Sequence, residues 1–286
     1  MAVPLSCFLL ASCAASAQPT ESSAFDPARR GTVLRDLVYA RPGGVPLAMD
    51  LHFPKSRGPW PWVVAVHGGG WSEGDKAGFD LGLARRGFLV ATINYRMAPA
   101  HRFPAMIEDV KSAIRYLRAH SGELDLDPER AGLVGHSAGG HLVALAALAG
   151  PEAGWDVGDN LEQSSAVKAV IELSGPTDLR LSFGDEWANG LRYSVFGEEQ
   201  WEKASPATWA RPDAPAFLII HGEGDKVVEV EQARLLETAL AAAGASAELL
   251  VVRRAGHGFE PAGGSPWPPL PYLYLKAGAF LKRHLR

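Results

Sequence analysis

The feature that most constrains the fold is an alternation of short, valine-rich apolar runs with longer segments of helical spacing. Residues 62–67 and 88–93 are typical of strands that are buried on both faces. Within residues 103–119, apolar side chains recur every three or four positions and charged side chains occupy the opposite face, which predicts an amphipathic helix. Strands that alternate with helices predict an α/β fold whose mostly parallel sheet is covered on both faces.

The same criteria predict eight strands, of which the first two form an antiparallel pair: residues 32–39, 46–53, 62–67, 88–93, 131–135, 168–173, 216–221 and 247–252. Helices are predicted over residues 76–86, 103–119, 137–148, 230–243 and 270–285. Residues 178–211 contain Trp187, Trp201 and Trp209 without a clean period, which predicts a small cap over the carboxyl edge of the sheet. We interpret residues 32–286 as one domain with this cap.

Composition excludes several classes of function. Of 286 residues, 47% are hydrophobic and 21% are charged, which is the balance of a soluble globular chain. The formal net charge of −4 provides no basic surface for nucleic acid. The two cysteines, Cys7 and Cys13, both lie near the N-terminus, so a cysteine nucleophile or a cysteine-ligated metal in the body of the chain is excluded.

The N-terminal segment predicts export to the periplasm or the medium. Residues 3–11 form an apolar run that is too short to span a membrane but fits the core of a signal peptide, although no Lys or Arg precedes it. Two cleavage patterns compete. Residues 10–13 resemble a lipobox, which would make residues 1–12 a lipoprotein signal and Cys13 a lipid anchor. Residues 15–17 fit ordinary cleavage of a signal peptide over residues 1–17, and residues 18–31 are predicted to be a linker.

A nucleophile is predicted at the junction of a strand and a helix. Residues 135–139 have the sequence Gly-His-Ser-Ala-Gly, which matches Gly-x-Ser-x-Gly between the strand at 131–135 and the helix at 137–148. A sharp turn there would expose the Ser137 hydroxyl at the edge of the sheet, and the glycines would allow neighbouring backbone to approach.

A serine nucleophile requires a base and a carboxylate that orients the base. Of nine histidines, His257 has the best context, because it lies in a glycine-flanked loop directly after a predicted strand. Asp225 follows another strand end and is the preferred carboxylate, with Asp178 and Glu223 as rivals. The chain order Ser137, Asp225, His257 is the order found in α/β hydrolases.

Donors for a developing oxyanion are predicted in a glycine-rich loop. The segment His-Gly-Gly-Gly-Trp at residues 67–71 follows a strand, and the backbone N–H groups of Gly69 and Gly70, together with that of Ala138, are expected to converge on one oxygen. The alternative is a glycine-rich turn or a phosphate loop, but neither Gly-x-Gly-x-x-Gly nor Gly-Lys-Ser/Thr is present to support nucleotide binding.

With these segments placed, the chain from about residue 45 onward resembles α/β-hydrolase esterases near the hormone-sensitive-lipase-like group, especially the bifunctional acetylxylan and feruloyl esterase-like branch. The matching segments lie at residues 67–71, 74–76, 94–99, 103–105, 135–141, 175–178, 221–225 and 256–259. The resemblance implies that Ser137 is the nucleophile, His257 the base and Asp225 its orienting acid. Lys226 departs from the proline that commonly follows the acid, and His136 replaces the aspartate usual before the serine in the lipase-like group.

The sequence therefore predicts a serine carboxylic ester hydrolase that acts on small acyl esters through an acyl-enzyme and requires no metal or organic cofactor. The family branch and the export signal favour acetyl or feruloyl esters of plant polysaccharide as substrates. Trp71, Trp187 and Trp201 are candidates for contacting a sugar or phenolic group, although such residues also commonly pack the core. Two alternatives stay open: an arylformamidase-like amidase with the same triad, and a non-catalytic binding module on the same scaffold.

Overall fold

Eight strands form a single sheet in the computed structural model, which describes residues 26–78 and 81–286. The strands are β1 (Val33–Ala40), β2 (Leu47–His52), β3 (Trp60–Val66), β4 (Leu89–Ile93), β5 (Leu126–His136), β6 (Ala169–Leu173), β7 (Ala216–Gly222) and β8 (Ala247–Val252). Their order in space is β1-β2-β4-β3-β5-β6-β7-β8. β2 is antiparallel to both of its neighbours, and the remaining pairs are parallel. The predicted mostly parallel eight-stranded sheet is thereby confirmed.

Helices cover both faces of this sheet, as an α/β fold requires. They are α1 (Ala105–Ala119), α2 (Ala138–Leu148), α3 (Glu186–Phe196), α4 (Glu231–Ala242) and α5 (Leu270–His284). Leu117 of α1, Leu142 of α2 and Leu236 of α4 belong to one apolar cluster, and Phe280 of α5 belongs to a second cluster. Because both sheet faces are apolar, the central strands are buried on both sides, which explains their continuous runs of apolar residues.

The helix predicted over residues 76–86 is wrong for the described part of that segment. The structure has only short 3-10 turns there, at Lys76–Gly78 and Ala84–Arg86. Gly82 and Gly87 both have positive φ angles, which interrupt an α-helix. The ammonium of Lys76 forms ion pairs with Asp36 of β1 and with buried Asp50 of β2, so the side chain is directed toward these two strands.

The carboxyl ends of the parallel strands meet at one edge of the sheet. The register pairs Val66 with Gly135, His136 with Leu173, and Gly222 with Val252. The loops that follow these strands therefore emerge side by side, although they are far apart in sequence. This edge is where an open α/β sheet usually binds its ligand.

The segment predicted to be a cap contains α3 and two short 3-10 helices, Glu198–Gln200 and Pro206–Trp209. Asp185 caps the N-terminus of α3 by accepting a hydrogen bond from the backbone N–H of Ala188 at 2.8 Å. Phe196 at the end of α3 packs edge-on against Trp71 of the glycine-rich loop, with ring centroids 4.9 Å apart. The segment thus lies over the carboxyl edge of the sheet.

The predicted export signal, Cys7 and Cys13 lie outside the described residues, as do residues 18–25 of the predicted linker. Within residues 26–78 and 81–286, no helix combines the length and apolarity needed to cross a bilayer. The export of this chain stays a prediction.

Candidate active site

Ser137 lies in a strained turn between β5 and α2. Its φ angle is 56° and its ψ angle is −122°, a conformation that non-glycine residues rarely adopt. Its backbone N–H donates to the carbonyl of Leu173 at 2.8 Å, and its carbonyl accepts from the N–H of His141 at 3.0 Å. The neighbouring strand and the first turn of the helix therefore hold the backbone in this conformation, which exposes the hydroxyl at the sheet edge.

The structure brings Ser137, His257 and Asp225 into one hydrogen-bonded chain. His257 Nε2 lies 2.8 Å from Ser137 Oγ, and His257 Nδ1 lies 2.7 Å from Asp225 Oδ2. Because an ionised carboxylate only accepts hydrogen bonds, Nδ1 must be protonated, and in the neutral ring Nε2 is then free to accept the serine proton. This is the geometry of a nucleophile, a general base and an orienting acid.

The loop after β7, called the acid loop below, holds Asp225 in place although Lys226 replaces the proline that commonly follows the acid. Asp225 Oδ1 accepts the backbone N–H groups of Val227 at 2.9 Å and Val228 at 3.0 Å. Burial alone would raise the pKa of the carboxyl, but hydrogen bonds from His221, His257 and Val228 outweigh burial and hold the pKa well below its usual range. Asp225 therefore stays ionised beside the base.

The two rival carboxylates are engaged elsewhere. Asp178 forms an ion pair with Arg180 at 2.7 Å and caps the backbone N–H of the same residue. Glu223 is exposed and accepts a hydrogen bond from the backbone N–H of Arg254. Of the three candidates, only Asp225 contacts His257.

The glycine-rich loop after β3 borders the nucleophile. Gly69, Gly70 and Ala138 line the same cavity as Ser137. Gly69 and Gly70 have φ angles of 111° and 56°, which only glycine adopts without strain. That their N–H groups stabilise an oxyanion stays a prediction.

A cavity of about 220 Å³ opens beside Ser137 and His257. Its walls are mainly apolar, and Phe183, Trp187 and Leu191 of the cap form part of them. A Cβ atom built on Gly70 would collide with Leu191, so the cap helix lies directly against the glycine-rich loop. The site therefore accommodates a small, apolar group next to the nucleophile.

The three predicted substrate-binding tryptophans have different environments. Trp187 lines the cavity and is 58% exposed, as a contact residue would be. Trp71 also lines the cavity but is 4% exposed, so most of its ring packs in the core. Trp201 is not among the cavity-lining residues; its ring lies beneath the Arg192 guanidinium, 4.1 Å from the ring centroid. Trp201 thus lies away from this cavity, and its contact with a substrate stays a prediction.

His136, immediately before the nucleophile, has a role that its sequence context did not suggest. Its Nε2 lies 2.9 Å from the backbone carbonyl of His257, and the two imidazole rings are 5.1 Å apart. It therefore ties the strand that precedes Ser137 to the loop that carries the base. In sequence, only its adjacency to the serine pointed to this site.

His141, on the first turn of α2, joins the glycine-rich loop to the cap. Its Nδ1 accepts a hydrogen bond from Trp71 Nε1 at 3.2 Å, and its Nε2 lies 2.7 Å from the carbonyl of Ala204. These partners require the neutral ring with a proton on Nε2. Complete burial lowers the pKa of His141 to about 4, against a smaller opposing effect of the Ala204 hydrogen bond.

This histidine should make the fold acid-sensitive. Its pKa in the folded protein lies below the ordinary value of about 6.5, so the unfolded chain binds a proton first as the pH falls. Stability that is present above pH 6.5 is then lost as the pH falls toward 4, by about 3 kcal/mol. We expect His141→Gln to be less stable than the wild type at pH 7 but to lose about 3 kcal/mol less between pH 7 and pH 4. Denaturant unfolding at both pH values measures this difference, and parallel losses in the two proteins would contradict it.

The fold and this geometry together define the class of protein. A nucleophilic serine at a strand-to-helix turn, followed along the chain by the acid and then the histidine, on a mostly parallel sheet, is the arrangement of the α/β hydrolases. Within this class the chain belongs to the BD-FAE family, whose model matches residues 49–240. His257 lies beyond the matched segment, and its place in the site comes from the structure.

Similar proteins are esterases. The chain is 35% identical over 219 residues to esterase LipC of Mycobacterium tuberculosis, with 71% of this chain and 54% of LipC covered. The chain thus spans about half the length of this curated relative. The structure of a truncated carbohydrate esterase from gut microbiota matches with a TM-score of 0.75 at 25% identity. The match covers 92% of this chain and 99% of the carbohydrate esterase chain. The structure of esterase 2 of Thermogutta terrifontis, phosphoramylated by tabun, matches with a TM-score of 0.75 at 27% identity. The match covers 88% of this chain and 94% of the esterase 2 chain.

Proposed function

We propose that this chain is a serine carboxylic ester hydrolase that cleaves small acyl esters through an acyl-enzyme. The observation that carries the proposal is the unbroken chain of hydrogen bonds from Ser137 through His257 to Asp225 beside an apolar cavity. Family membership and the esterase relatives support the same activity. No step of this chemistry needs a metal or an organic cofactor.

The reaction follows from the positions of the side chains. Ser137 Oγ attacks the ester carbonyl while His257 Nε2 takes its proton, and the resulting imidazolium is stabilised by Asp225. The N–H groups of Gly69, Gly70 and Ala138 bind the oxyanion. His257 then returns the proton to the leaving alcohol, and water repeats the cycle to release the acid. Activity is expected to fall at acid pH, because a protonated imidazole at position 257 cannot accept the serine proton.

Acetyl or feruloyl esters of plant polysaccharide are the proposed natural substrates. The resemblance to a carbohydrate esterase supports this class, and exposed Trp187 at the mouth of the cavity offers an apolar face to a sugar or phenolic ring. Export of the chain, with or without a lipid anchor at Cys13, would give it access to such a polymer.

A panel of substrates tests whether the chain is a hydrolase and whether it cleaves ester or amide bonds. Acetyl, butyryl, octanoyl and feruloyl esters, acetylated xylan and an N-formyl anilide are incubated with the wild type and with Ser137→Ala. We expect ester turnover in the wild type alone, with acetyl or feruloyl esters preferred. Faster cleavage of the N-formyl anilide would establish the arylformamidase-like alternative. Failure of a fluorophosphonate to label Ser137 would establish the non-catalytic alternative.

Leu191 of the cap is expected to limit acyl-chain length. Its side chain lies against Gly70 in the cavity wall, so Leu191→Ala should extend the cavity by several methylene groups. One methylene in an apolar pocket is worth about tenfold or more, so we expect the octanoyl-to-butyryl ratio of kcat/KM to rise at least about tenfold. The matched control is Leu181→Ala, an exposed leucine of the same cap that does not line the cavity. An unchanged ratio in Leu191→Ala would remove the assignment.

A further inference from the structure

We propose that His221 is a positioning residue for the reaction: it holds Asp225 by the same oxygen that His257 contacts, and the nearby charge of Glu172 keeps its ring protonated. The proposal rests on the proposed esterase activity, because it assigns a role within the same catalytic site. Neither side chain has any exposed surface, and neither takes part in the steps described above.

Hydrogen bonds tie His221 to the acid loop at two points. Its Nε2 lies 2.8 Å from the carbonyl of Val228 and 3.3 Å from Asp225 Oδ2. Both of these atoms only accept hydrogen bonds, so His221 Nε2 must be protonated in every charge state. Its donation to Val228 closes the loop that presents Asp225, because Val228 itself donates to Asp225 Oδ1. His221 thus restrains both the carboxylate and the backbone around it.

Glu172 lies on the same face of the sheet as His221. The register of β6 and β7 pairs Glu172 with Ile219, and side chains two residues apart on a strand share a face, so His221 shares the face of Glu172. One oxygen of Glu172 accepts the backbone N–H of Gly175. The other oxygen, Oε2, is buried without a hydrogen-bond partner, and so is His221 Nδ1. The two unpartnered atoms belong to an acid and a base on neighbouring strands.

Burial of Glu172 and His221 together is costly unless the pair retains one proton. A buried carboxylate without a counter-charge costs several kcal/mol, and so does a lone buried imidazolium. Burial raises the pKa of Glu172 to about 7, against the opposing charge of His221 and the Gly175 hydrogen bond. Burial alone would lower the pKa of His221, but its hydrogen bond to Asp225 and the charge of Glu172 outweigh burial, so that this pKa is raised. The raised pKa values of Glu172 and His221 both favour retention of one proton by the pair near neutral pH.

A positive charge on His221 would act on the base through Asp225. The titratable groups that surround His221 are Glu172 from β6, Asp225 from the acid loop, His136 from β5 and His257 from the loop after β8. A cation beside Asp225 weakens the attraction of this carboxylate for the imidazolium that forms on His257. We therefore expect esterase activity to extend further into the acid range than it would without this charge.

The test measures the rate at which a fluorophosphonate labels Ser137 as a function of pH, alongside kcat and KM for a small ester. His221→Gln keeps a neutral donor but cannot be charged, and His221→Phe removes the donor as well. In His221→Gln we expect the fall of the labelling rate at acid pH (the acid limb) to begin about one pH unit higher than in the wild type. The labelling rate above that fall (the plateau) should stay near that of the wild type. In His221→Phe we expect the plateau and kcat to fall by about tenfold or more while KM holds. His120→Gln, at the C-cap of α1 where the ring stacks on Tyr116, is the matched control and should follow the wild type.

Nitrogen-15 NMR of the histidines measures the protonation of His221 directly. At pH 6 we expect both ring nitrogens of His221 to be protonated in the wild type, and Nδ1 to lose its proton in Glu172→Gln. A neutral His221 in the wild type, or an acid limb that does not move in His221→Gln, would overturn the proposal. Labelling of Ser137 without ester turnover in the wild type would instead count against the proposed function, and the pH profiles of labelling would still decide the role of His221.

Discussion

Ser137→Ala and His257→Ala are each expected to lower kcat for a small ester by about a millionfold, because either change removes the nucleophile–base pair as a unit. Asp225→Asn should lower kcat by about ten-thousandfold, since the amide cannot stabilise the imidazolium and favours the wrong tautomer of His257. The hydrogen bonds of 2.8 Å and 2.7 Å that join the three side chains are the basis of these values. Initial rates with a chromogenic acetyl ester measure them.

Two matched variants separate a catalytic effect from a loss of structure. Glu223→Gln removes a carboxylate two residues from Asp225 whose side chain is exposed, and Asp178→Asn removes the other rival acid. Both should retain turnover within a few-fold of the wild type, and all variants should unfold at similar denaturant concentrations. A near-normal rate in Asp225→Asn, combined with a large loss in Asp178→Asn, would reassign the acid.

The second large effect is expected at Gly139, where the change is steric rather than chemical. A Cβ atom at Gly139 would lie within 2.6 Å of the carbonyl oxygen of His67 and still closer to that of Val66. These atoms belong to the backbone at the end of β3 and cannot move without disturbing the sheet. We therefore expect Gly139→Ala to destabilise the fold by at least about 3 kcal/mol and to displace Ser137 from His257.

Gly190 provides the control for this substitution. It lies on an exposed face of α3, and a Cβ atom there would meet no heavy atom within 4 Å. Gly190→Ala should stabilise the protein by roughly 0.5–1 kcal/mol, because alanine is the better helix former. Chemical denaturation of both variants measures the contrast. Equal stabilities for the two would show that the backbone at the nucleophile turn is less closely packed than the structure describes.

Much of the architecture could be predicted because its signals are local. Apolar runs of five or six residues define the central strands, and a three-to-four-residue period defines α1. The helix expected over residues 76–86 failed for an equally local reason, since glycines at positions 82 and 87 take left-handed conformations. The described part of that segment has residue types that favour a helix, but the two glycines interrupt the helical backbone.

The candidate site could be predicted only in part. The motif around Ser137 predicted a strand-to-helix turn, and the structure has Ser137 there. Asp225 was preferred over Asp178 and Glu223 for its place after a strand end and through the family resemblance, and its contact with His257 came from the tertiary structure. Glu172 has a local signature in the sequence, a single carboxylate within an otherwise apolar strand. His221 was assigned to a motif and given no role of its own.

By itself, the amino-acid sequence determined the kind of fold, the turn that exposes Ser137 and the residue types available for catalysis, because periodicity and turn chemistry act between residues close together in the chain. Only the tertiary structure decided which acid contacts His257, which cap residues line the cavity, and that His221 Nδ1 and Glu172 Oε2 are buried without hydrogen-bond partners. The triad itself joins side chains that are up to 120 residues apart in the chain. They depend on the register of neighbouring strands and on packing, which no local pattern encodes.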